Sequence, residues 1–206
     1  MKNLLRLRVL IGVFIIVSVL VYLNPTLTLD FSISHLVQDI NQNFFSKIMW
    51  LVTLIGNKPL MIYIIGITGS IMYIFGLHKE AVISTLITAV GALSGSLIKI
   101  LVNRARPQPE LVKVSVWLSD KSYPSNHVLV FTVFFGFLLY LLLKKAKRNI
   151  IQMTLSLVLI LFLLTIGISR IYLGAHWATD VAGGYILGLS WLVVAIRLYN
   201  FHNGQR

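Results

Sequence analysis

Three short stretches of the chain are rich in residue types that bind and react with phosphate. They read KILVNRARP over residues 99–107, PSNH over residues 124–127 and SRIYLGAHWATD over residues 169–180. In the third stretch, His176 and Asp180 are four residues apart. At that spacing the carboxylate can accept the imidazole Nδ1–H and leave Nε2 as an oriented nucleophile. The same pair could also form a purely structural hydrogen bond between neighbouring helical turns.

The cationic residues of these stretches fit an anionic ligand. Lys99 falls within an apolar segment, where a charge is costly unless it is paired or faces a polar cavity, although its side chain could also snorkel to the headgroups. Arg106 follows seven residues later, so the two cations share one face if the helix continues to Pro107. Arg170 offers a planar guanidinium that can clamp two phosphate oxygens.

The second stretch predicts the start of a helix. Ser125 precedes an apolar run and can serve as its N-cap, which leaves backbone N–H groups and the positive end of the helix dipole facing a polar loop. Helix starts of this kind bind phosphate. Taken alone, the stretch favours a Ser125 that only caps and a His127 that only lies at the membrane interface. The other two stretches shift the interpretation towards phosphate binding.

Together, the three stretches resemble the signature of the type 2 phosphatidic acid phosphatase superfamily. That signature is Lys, six residues, Arg-Pro; then Pro-Ser-Gly-His; then Ser-Arg, five residues, His, three residues, Asp, and every spacing within the three parts is met here. Asn126 stands where the family has glycine. If that glycine serves through its backbone N–H, asparagine keeps the donor and activity should survive. If the backbone needs positive φ there, or the side chain crowds the phosphate, turnover would weaken or substrate preference would shift.

The resemblance implies a role for each residue. His176 would attack phosphorus and form a phosphohistidine, and Asp180 would orient and stabilise the imidazolium. His127 would protonate the leaving oxygen and then activate water. The implied phosphate-binding residues are Lys99, Arg106, Ser125, Asn126 and Arg170.

The composition places these stretches in a membrane protein. Hydrophobic residues make up 57% of the 206 residues and charged residues 12%, which is too apolar for an ordinary water-soluble globule. A membrane-spanning helix needs about 20 mostly apolar residues. Six segments meet this requirement: residues 4–23, 59–77, 81–103, 126–143, 150–169 and 177–197. The predicted fold class is all-α, a polytopic bundle of six transmembrane helices with the active site at the outer membrane face.

Two further segments have distinct predictions. Residues 30–56 favour interfacial helices lying on the bilayer. The polar residues that interrupt this segment are Asp30, His35, Gln38, Asp39, Asn41 and Asn43. The polar stretch 104–125 between the third and fourth predicted spans is the natural active-site loop. Cations precede the first apolar run, as in a signal peptide, but no small-x-small cleavage site follows it, which favours a retained anchor.

The cations that flank the spans predict the orientation, because cytoplasmic loops retain excess Lys and Arg. With the amino terminus inside, the cytoplasmic set has ten members: Lys2, Arg6, Arg8, Lys79, Lys144, Lys145, Lys147, Arg148, Arg197 and Arg206. With the cationic site residues set aside, five remain outside: Lys47, Lys58, Arg104, Lys113 and Lys121. We therefore expect a cell-membrane protein with cytoplasmic termini and an extracytoplasmic site.

These features predict an integral membrane lipid phosphatase acting on a phosphomonoester or diphosphate. A site at the outer ends of spans is open to headgroups of lipids whose tails remain in the bilayer. Undecaprenyl diphosphate fits the predicted topology, and phosphatidylglycerophosphate and phosphatidic acid are close competitors. Two alternatives remain. One is a phosphotransferase that passes phosphate from His176 to another hydroxyl, and the other is a non-catalytic lipid-phosphate binding protein, against which the two histidines and Asp180 argue.

No cofactor or metal is expected. The chain has six acidic residues, of which only Asp180 falls in the cluster, whereas metal-dependent phosphatases need several convergent carboxylates. The absence of cysteine excludes disulfides and cysteine-ligated zinc. The formal charge of +12 is spread over both predicted membrane faces, so nucleic acid is not an expected partner. Without repeats or Ser/Gly-rich linkers, residues 1–206 predict a single membrane-embedded phosphatase domain.

Overall fold

The computed structural model describes residues 2–40 and 42–202, with side chains over residues 4–40 and 42–201. Eight α-helices and no β-strand occur in these described residues, which confirms the all-α class. The helices are α1 (Lys2–Leu23), α2 (Thr28–Gln38), α3 (Asn43–Gly56), α4 (Lys58–Ile74), α5 (His78–Val102), α6 (Asn126–Lys145), α7 (Ile150–Tyr172) and α8 (Ala178–His202). Asn41 of the predicted interfacial segment and Arg206 of the cation set lie outside the described residues.

The helix lengths and hydropathies make the chain a multi-pass membrane protein. Within the described ranges, five helices are individually long and apolar enough to cross a membrane: α1, α5, α6, α7 and α8. Helices α3 and α4 meet the same test only as a pair, which is bent by 63° at its break. Counting that pair as one span gives six crossings. The predicted span 59–77 therefore corresponds to α4, which is the second half of a bent pair.

Residues 30–56, which were predicted to form interfacial helices, also pack against the rest of the protein, and their position on the bilayer stays a prediction. The segment is helical, as expected, but several of its polar side chains face the protein. Asp30 and Gln38 of α2 and Thr53 of α3 are buried. Gln38 Nε2 donates to Lys113 O at 2.8 Å, and its Oε1 accepts from Lys113 N at 3.0 Å. Asp30 and Gln38 therefore interrupt the apolar pattern because they bind distant parts of the chain, whereas His35, Asp39 and Asn43 are exposed.

Helix α6 forms the centre of the bundle. Phe131, Phe134 and Phe137 on this helix are completely buried. The outward faces of α1, α4 and α7 instead expose large apolar side chains, such as Ile16, Ile67 and Leu157. Apolar side chains are stable against lipid when the backbone is hydrogen-bonded within a helix. The bundle therefore buries its core around α6 and presents the rest to the bilayer.

Small residues bring α8 close to α6. A Cβ at Gly188 would lie 2.7 Å from Thr132 Cβ, and one at Gly184 would lie 2.7 Å from Ser125 O. Larger residues would push the helices apart, whereas small residues let membrane helices pack closely. The first turn of α6 is therefore held directly against α8.

The loop from residue 103 to residue 125 folds back over the same end of the bundle. Helix α5 ends at Val102 and is followed by its C-cap, Asn103, whose φ of 52° lies in the left-handed region. Ser115 N donates to Leu173 O at 2.9 Å, which fastens the loop to the turn between α7 and α8. Ser122 N donates to Arg104 O at 3.0 Å, which closes the loop on itself. The loop is therefore anchored above the ends of α5 to α8.

Gly174 is expected to be essential for this anchoring. Its φ is +66°, and a Cβ there would lie 2.1 Å from the backbone oxygen of Lys113. A Gly174→Ala change combines the cost of positive φ, about 1–2 kcal/mol, with a clash against backbone that cannot rotate away. We expect a larger loss of thermal stability, measured on purified protein in detergent, than the positive φ alone would cause.

Gly76 supplies the matched control for the φ contribution. Its φ is +78°, but a Cβ there would meet none of the described atoms within 4 Å. Gly76→Ala should therefore lose only about 1–2 kcal/mol. Equal losses for the two variants would contradict the proposed close approach of Gly174 to the loop.

Candidate active site

The three stretches meet at one end of the bundle. Arg106 Nη1 lies 3.2 Å from His176 Nε2, which joins the first stretch to the third. Ser125 N donates to Asp180 O at 3.0 Å, which joins the second stretch to the third. Residues far apart in sequence therefore surround one imidazole.

His176 lies in the turn between α7 and α8 and is almost completely buried. Arginine carries only donors, so Nε2 must accept the contact from Arg106, and the ring proton belongs on Nδ1. Burial lowers the pKa of His176 well below its ordinary value, and the positive charges of Arg106, Lys99 and Arg170 lower it further. The ring is therefore neutral at neutral pH, with its lone pair on Nε2, as a nucleophile requires.

Asp180 is completely buried, and several donors hold its carboxylate. Arg104 Nη1 donates to Oδ1 at 2.5 Å. Oδ2 accepts from Ser122 Oγ and, at 2.9 Å, from Trp177 N. His176 Nδ1 is 3.4 Å from Oδ2, but among the described residues none completes a hydrogen bond to Nδ1. The predicted contact between imidazole and carboxylate is thus present as a close approach, while Arg104 provides a shorter, well-formed bond.

Arg104 and Asp30 are site residues that the sequence analysis missed. Arg104 Nη2 pairs with Asp30 Oδ2 at 2.6 Å, and both side chains are 1% exposed. Arg104 had been counted only as a loop cation, and Asp30 only as a polar interruption of an apolar segment. The signals that could have found them are an acid within an apolar run and a second arginine two residues before Arg106. Neither signal names the partner.

Asp120 is a third missed residue and bridges the two cations of the first stretch. Its Oδ2 lies 3.2 Å from Lys99 Nζ, and its Oδ1 lies 2.6 Å from Arg106 Nη2. Its side chain is 53% exposed, whereas those of Lys99 and Arg106 are 7% and 12% exposed. Burial by itself raises the pKa of the Asp120 carboxyl, but Lys99 and Arg106 lower it to about 2. A carboxylate of the chain therefore occupies the cation pair predicted to bind phosphate.

The route by which the two cations meet differs from the prediction. Helix α5 ends at Val102, so Lys99 and Arg106 do not share a helix face. The chain reverses at Asn103 and the loop returns with Asp120 between the cations. The left-handed backbone of Asn103 ends the helix before Pro107 can.

His176 and Asp180 are also not on one helix, because α8 begins at Ala178. Their approach depends on the turn that precedes α8. Asp180 sits in the first turn and reaches back to Trp177 N, as the acidic residue of a capping box does. That capping bond places Oδ2 near the imidazole.

Two predicted phosphate-binding side chains offer buried polar atoms without partners. Ser125 is the N-cap of α6, but its Oγ makes no capping bond. Within the described part of the chain, Ser125 Oγ and the Nε and Nη2 atoms of Arg170 have no hydrogen-bond partner. Arg170 Nη1 donates to Thr53 Oγ1 at 3.2 Å, which brings α3 into the site. Buried donors normally have partners, so these atoms are suited to an anion.

His127 lies in the first turn of α6 and is partly buried. Its Nε2 is 3.5 Å from Asn57 Oδ1, at the break between α3 and α4. A Cβ at Gly56 would lie 2.7 Å from His127 Cδ2, so α3 ends directly against this ring. The bent pair therefore forms one wall of the site, a role that the sequence analysis did not predict.

Asn126 directs its side chain towards α5. Its Nδ2 donates to Ser96 Oγ at 3.0 Å, and a Cβ at Gly95 would lie 2.2 Å from its Oδ1. Asn126 is also the first residue of α6, where helical φ and ψ do not require glycine. The side chain thus packs against the neighbouring helix.

No group of three or more His, Asp or Glu side chains in the described residues is arranged to hold a metal ion. The buried carboxylates of Asp30 and Asp180 both pair with Arg104. Independence from metal stays a prediction.

Comparison with known proteins identifies the family. The family model that describes the sequences of the PAP2 superfamily matches residues 80–203, which is more than half of the chain. The chain belongs to the PAP2 superfamily. Phosphatidylglycerophosphatase B of Bacillus subtilis (strain 168) is 26% identical over 181 residues, which cover 85% of this chain and 86% of that protein. The family predicted from the three stretches is confirmed.

Solved structures share the fold of this PAP2 chain. A transmembrane PAP2-type phosphatidylglycerolphosphate phosphatase from Bacillus subtilis superimposes with a TM-score of 0.80 at 23% identity, covering 98% of both chains. LpxE of Aquifex aeolicus gives a TM-score of 0.65 at 18% identity, covering 84% of this chain and 98% of that one. At these identities the likeness shows the fold, an all-helical membrane bundle.

Removing the charge of Asp120 should strengthen anion binding at this site. An anion that contacts Lys99 and Arg106 must compete with the Asp120 carboxylate, which is ionised at neutral pH. We expect Asp120→Asn to bind inorganic phosphate about 3- to 10-fold more tightly, a modest gain because the carboxylate is half exposed. The dissociation constant can be measured by calorimetry on the purified protein in detergent.

Asp39→Asn is the matched control, since it removes the same charge from an exposed residue at the end of α2. Its phosphate affinity should stay at that of the parent. Unchanged or weaker phosphate binding by Asp120→Asn would contradict competition between carboxylate and phosphate.

Proposed function

We propose that this PAP2 protein is an integral membrane lipid phosphatase that hydrolyses a lipid phosphomonoester or diphosphate through a phosphohistidine on His176. The observation that carries the proposal is the meeting of a neutral, buried imidazole with cations and buried donors that lack partners. Mere binding of an anion would need the donors but not an imidazole with an unprotonated Nε2. The curated relative in Bacillus subtilis is named as a phosphatase, which agrees with this class of enzyme.

In the first step, His176 Nε2 attacks phosphorus, the new N–P bond forms and the bond to the leaving oxygen breaks. His127 donates a proton to that oxygen. In this structure Arg106 contacts Nε2 of His176. When a substrate binds, Arg106 would shift its contact from Nε2 to a phosphate oxygen. Asp180 stabilises the positive charge that develops on the imidazole.

In the second step, water attacks phosphorus, His127 accepts a proton from the water, and the N–P bond breaks. Free phosphate leaves and His176 is neutral again. The equatorial oxygens carry the charge of both transition states, so pre-positioned donors accelerate both steps. The donors in this proposal are Lys99, Arg106, Ser125, the backbone N–H of Asn126, and Arg170.

We also infer the sidedness of the site. The site lies where α5 and α7 end and α6 and α8 begin, so α1 begins and α8 ends at the opposite membrane face. The opposite face carries the basic cluster Lys144, Lys145, Lys147 and Arg148, which is typical of the cytoplasmic side. This supports cytoplasmic termini and an extracytoplasmic site. Helices α2 and α3 contribute to the site or its loop, and so do all later helices except α4. We therefore propose that residues 1–206 form one catalytic unit.

The substrate class follows from the position of the site near the headgroup layer. A lipid phosphate can reach it while its tails stay in the bilayer. Phosphatidylglycerophosphate is the first candidate because the Bacillus subtilis relatives carry that lipid in their names. Undecaprenyl diphosphate and phosphatidic acid share the same reacting group and belong in the same test.

The test is phosphate release by the purified protein in detergent from these three lipids, with and without chelator. We expect release to continue in chelator and His176→Ala to lose at least about 1000-fold in rate, more than the typical loss of one transition-state donor. His35→Ala is the matched control, because His35 is exposed on α2 and should keep full activity.

Three outcomes would oppose the proposal. Normal turnover by His176→Ala would remove the covalent mechanism. Loss of activity in chelator with recovery in Mg²⁺ would require a metal. Phosphate that appears only on an added hydroxyl acceptor, and not free in its absence, would make the protein a phosphotransferase.

Replacing Asn126 by glycine tests the departure from the family signature. Because the side chain contacts Ser96 on α5 and the backbone N–H remains, we expect unchanged or higher activity. Stability should fall by about 0.5–1.5 kcal/mol from loss of one hydrogen bond. Ser96→Ala removes the same bond from α5, together with the bond from Ser96 Oγ to Ala92 O, and should leave activity unchanged. A clear drop in activity for Asn126→Gly alone would show a specific role of asparagine in turnover.

A further inference from the structure

Arg104 is a buried cation beside the site whose guanidinium is bonded on every side. Its Nη1 contacts Asp180 Oδ1 at 2.5 Å and Thr179 Oγ1 at 2.8 Å. Its Nη2 contacts Asp30 Oδ2 at 2.6 Å, and its Nε donates to Pro25 O at 2.9 Å. All three guanidinium nitrogens are therefore used. Arg104 itself is 2% exposed, so these bonds are not exchanged with water.

Asp30 completes the arrangement from α2. Its Oδ1 accepts from Thr179 N at 2.8 Å, and Thr179 Oγ1 lies 2.9 Å from its Oδ2. Asp30 is 0% exposed. It therefore holds both Arg104 and the first turn of α8, the turn that carries Asp180. None of the three motif stretches contains Asp30.

We propose that Asp30 and Arg104 are positioning residues for the reaction, holding Asp180 through its Oδ1 and setting the charge behind His176. This inference rests on the proposed phosphatase function. Because Arg104 bonds to Oδ1 of Asp180, the other carboxylate oxygen, Oδ2, is the one that lies near His176 Nδ1. Neither Arg104 nor Asp30 touches substrate in this role; both act through Asp180.

The charges explain why two residues are needed. Asp30, Arg104 and Asp180 together carry one net negative charge, which balances the positive imidazolium that forms when His176 is phosphorylated. Arg104 with Asp180 alone would leave no net charge behind the imidazole. Asp30 restores the negative charge without a contact to His176, and burial makes its effect larger than in water.

A purely structural role would look different in experiment. Removing one partner of a buried ion pair destabilises a protein whatever the pair does for catalysis. A change of charge near His176, in contrast, shifts the pKa of its imidazole. It therefore shifts the pH below which protonation of His176 inactivates the enzyme. The other groups whose charge acts on His176 are Lys99, Arg106, Asp120, His127 and Arg170. All five are unchanged in the variants below.

The experiment measures kcat and KM against pH for the full-length protein in detergent. Asp30→Asn makes the surroundings of His176 more positive, so its protonation and the acidic limb of kcat/KM should shift to lower pH. Arg104→Gln makes them more negative, so the limb should shift to higher pH, by about one pH unit. Both variants should lower kcat with little change in KM. The double variant should return the limb towards that of the parent.

Two further variants separate charge from packing. Arg104→Lys keeps the charge but cannot form the same set of bonds, so it should lower kcat and leave the limb in place. Gln38→Leu disturbs the docking of the same helix α2 without any change of charge. It should lower thermal stability and leave the limb in place.

The inference is overturned if Asp30→Asn leaves the acidic limb at the pH of the parent, or if the two single variants shift it in the same direction. Should Arg104→Gln fail to fold, the direction of the Asp30→Asn shift decides alone. Failure of the proposed function is distinguishable, because the parent would then release no phosphate from any of the three lipids.

Discussion

The burial of the Asp180 carboxylate is the constraint on which the site depends. A charge with 0% exposure is tolerated only with a cation and further donors around it, and here these come from Arg104, Ser122 and the backbone of Trp177. Arg104 and Ser122 attach the two ends of the loop from residue 103 to residue 125 to α8. Asp30 adds a second carboxylate to Arg104, which leaves the group with one net negative charge, and attaches α2. The charged network therefore fixes α2 and the loop from residue 103 to residue 125 relative to α8, through specific polar contacts that hydrophobic packing around α6 does not supply.

The cations near the His176 imidazole are likewise paired with a carboxylate. Lys99 and Arg106 are mostly buried and, in this structure, share the carboxylate of Asp120. Arg106 also covers the lone pair of His176. A substrate phosphate would therefore exchange one set of ionic contacts for another, rather than bind cations that are otherwise bare. Such exchange costs less than the exposure of unpaired charges, and it suits an enzyme that must release phosphate after every turnover.

The membrane determines where this chemistry can occur. Within the bilayer, backbone groups must be bonded inside helices, so irregular backbone is confined to the bundle ends or to protein-lined cavities. The loop from residue 103 to residue 125 and the turn before α8 lie at one such end. The bent junction of α3 and α4 adds Thr53 and Asn57 beside Arg170 and His127. The irregular backbone and the buried charges therefore lie at the same end of the bundle. The proposed substrate headgroups would lie at the same depth in the membrane.

The sequence by itself determined the all-helical class, the approximate spans and the family, because apolar length and motif spacing are local properties of the chain. It also named His176, His127 and Asp180 as the candidate reacting groups. It did not reveal the pairing of Asp30 with Arg104, the position of Asp120 between Lys99 and Arg106, or the role of α3 as a wall. Those features join residues far apart in the chain, so only the packing of helices and loops could decide them. The spacing of Lys99 and Arg106 had placed both on one face of a continuous helix. That expectation failed because Asn103 adopts a left-handed backbone conformation, which ends α5 between them and depends on the local fold rather than on periodicity.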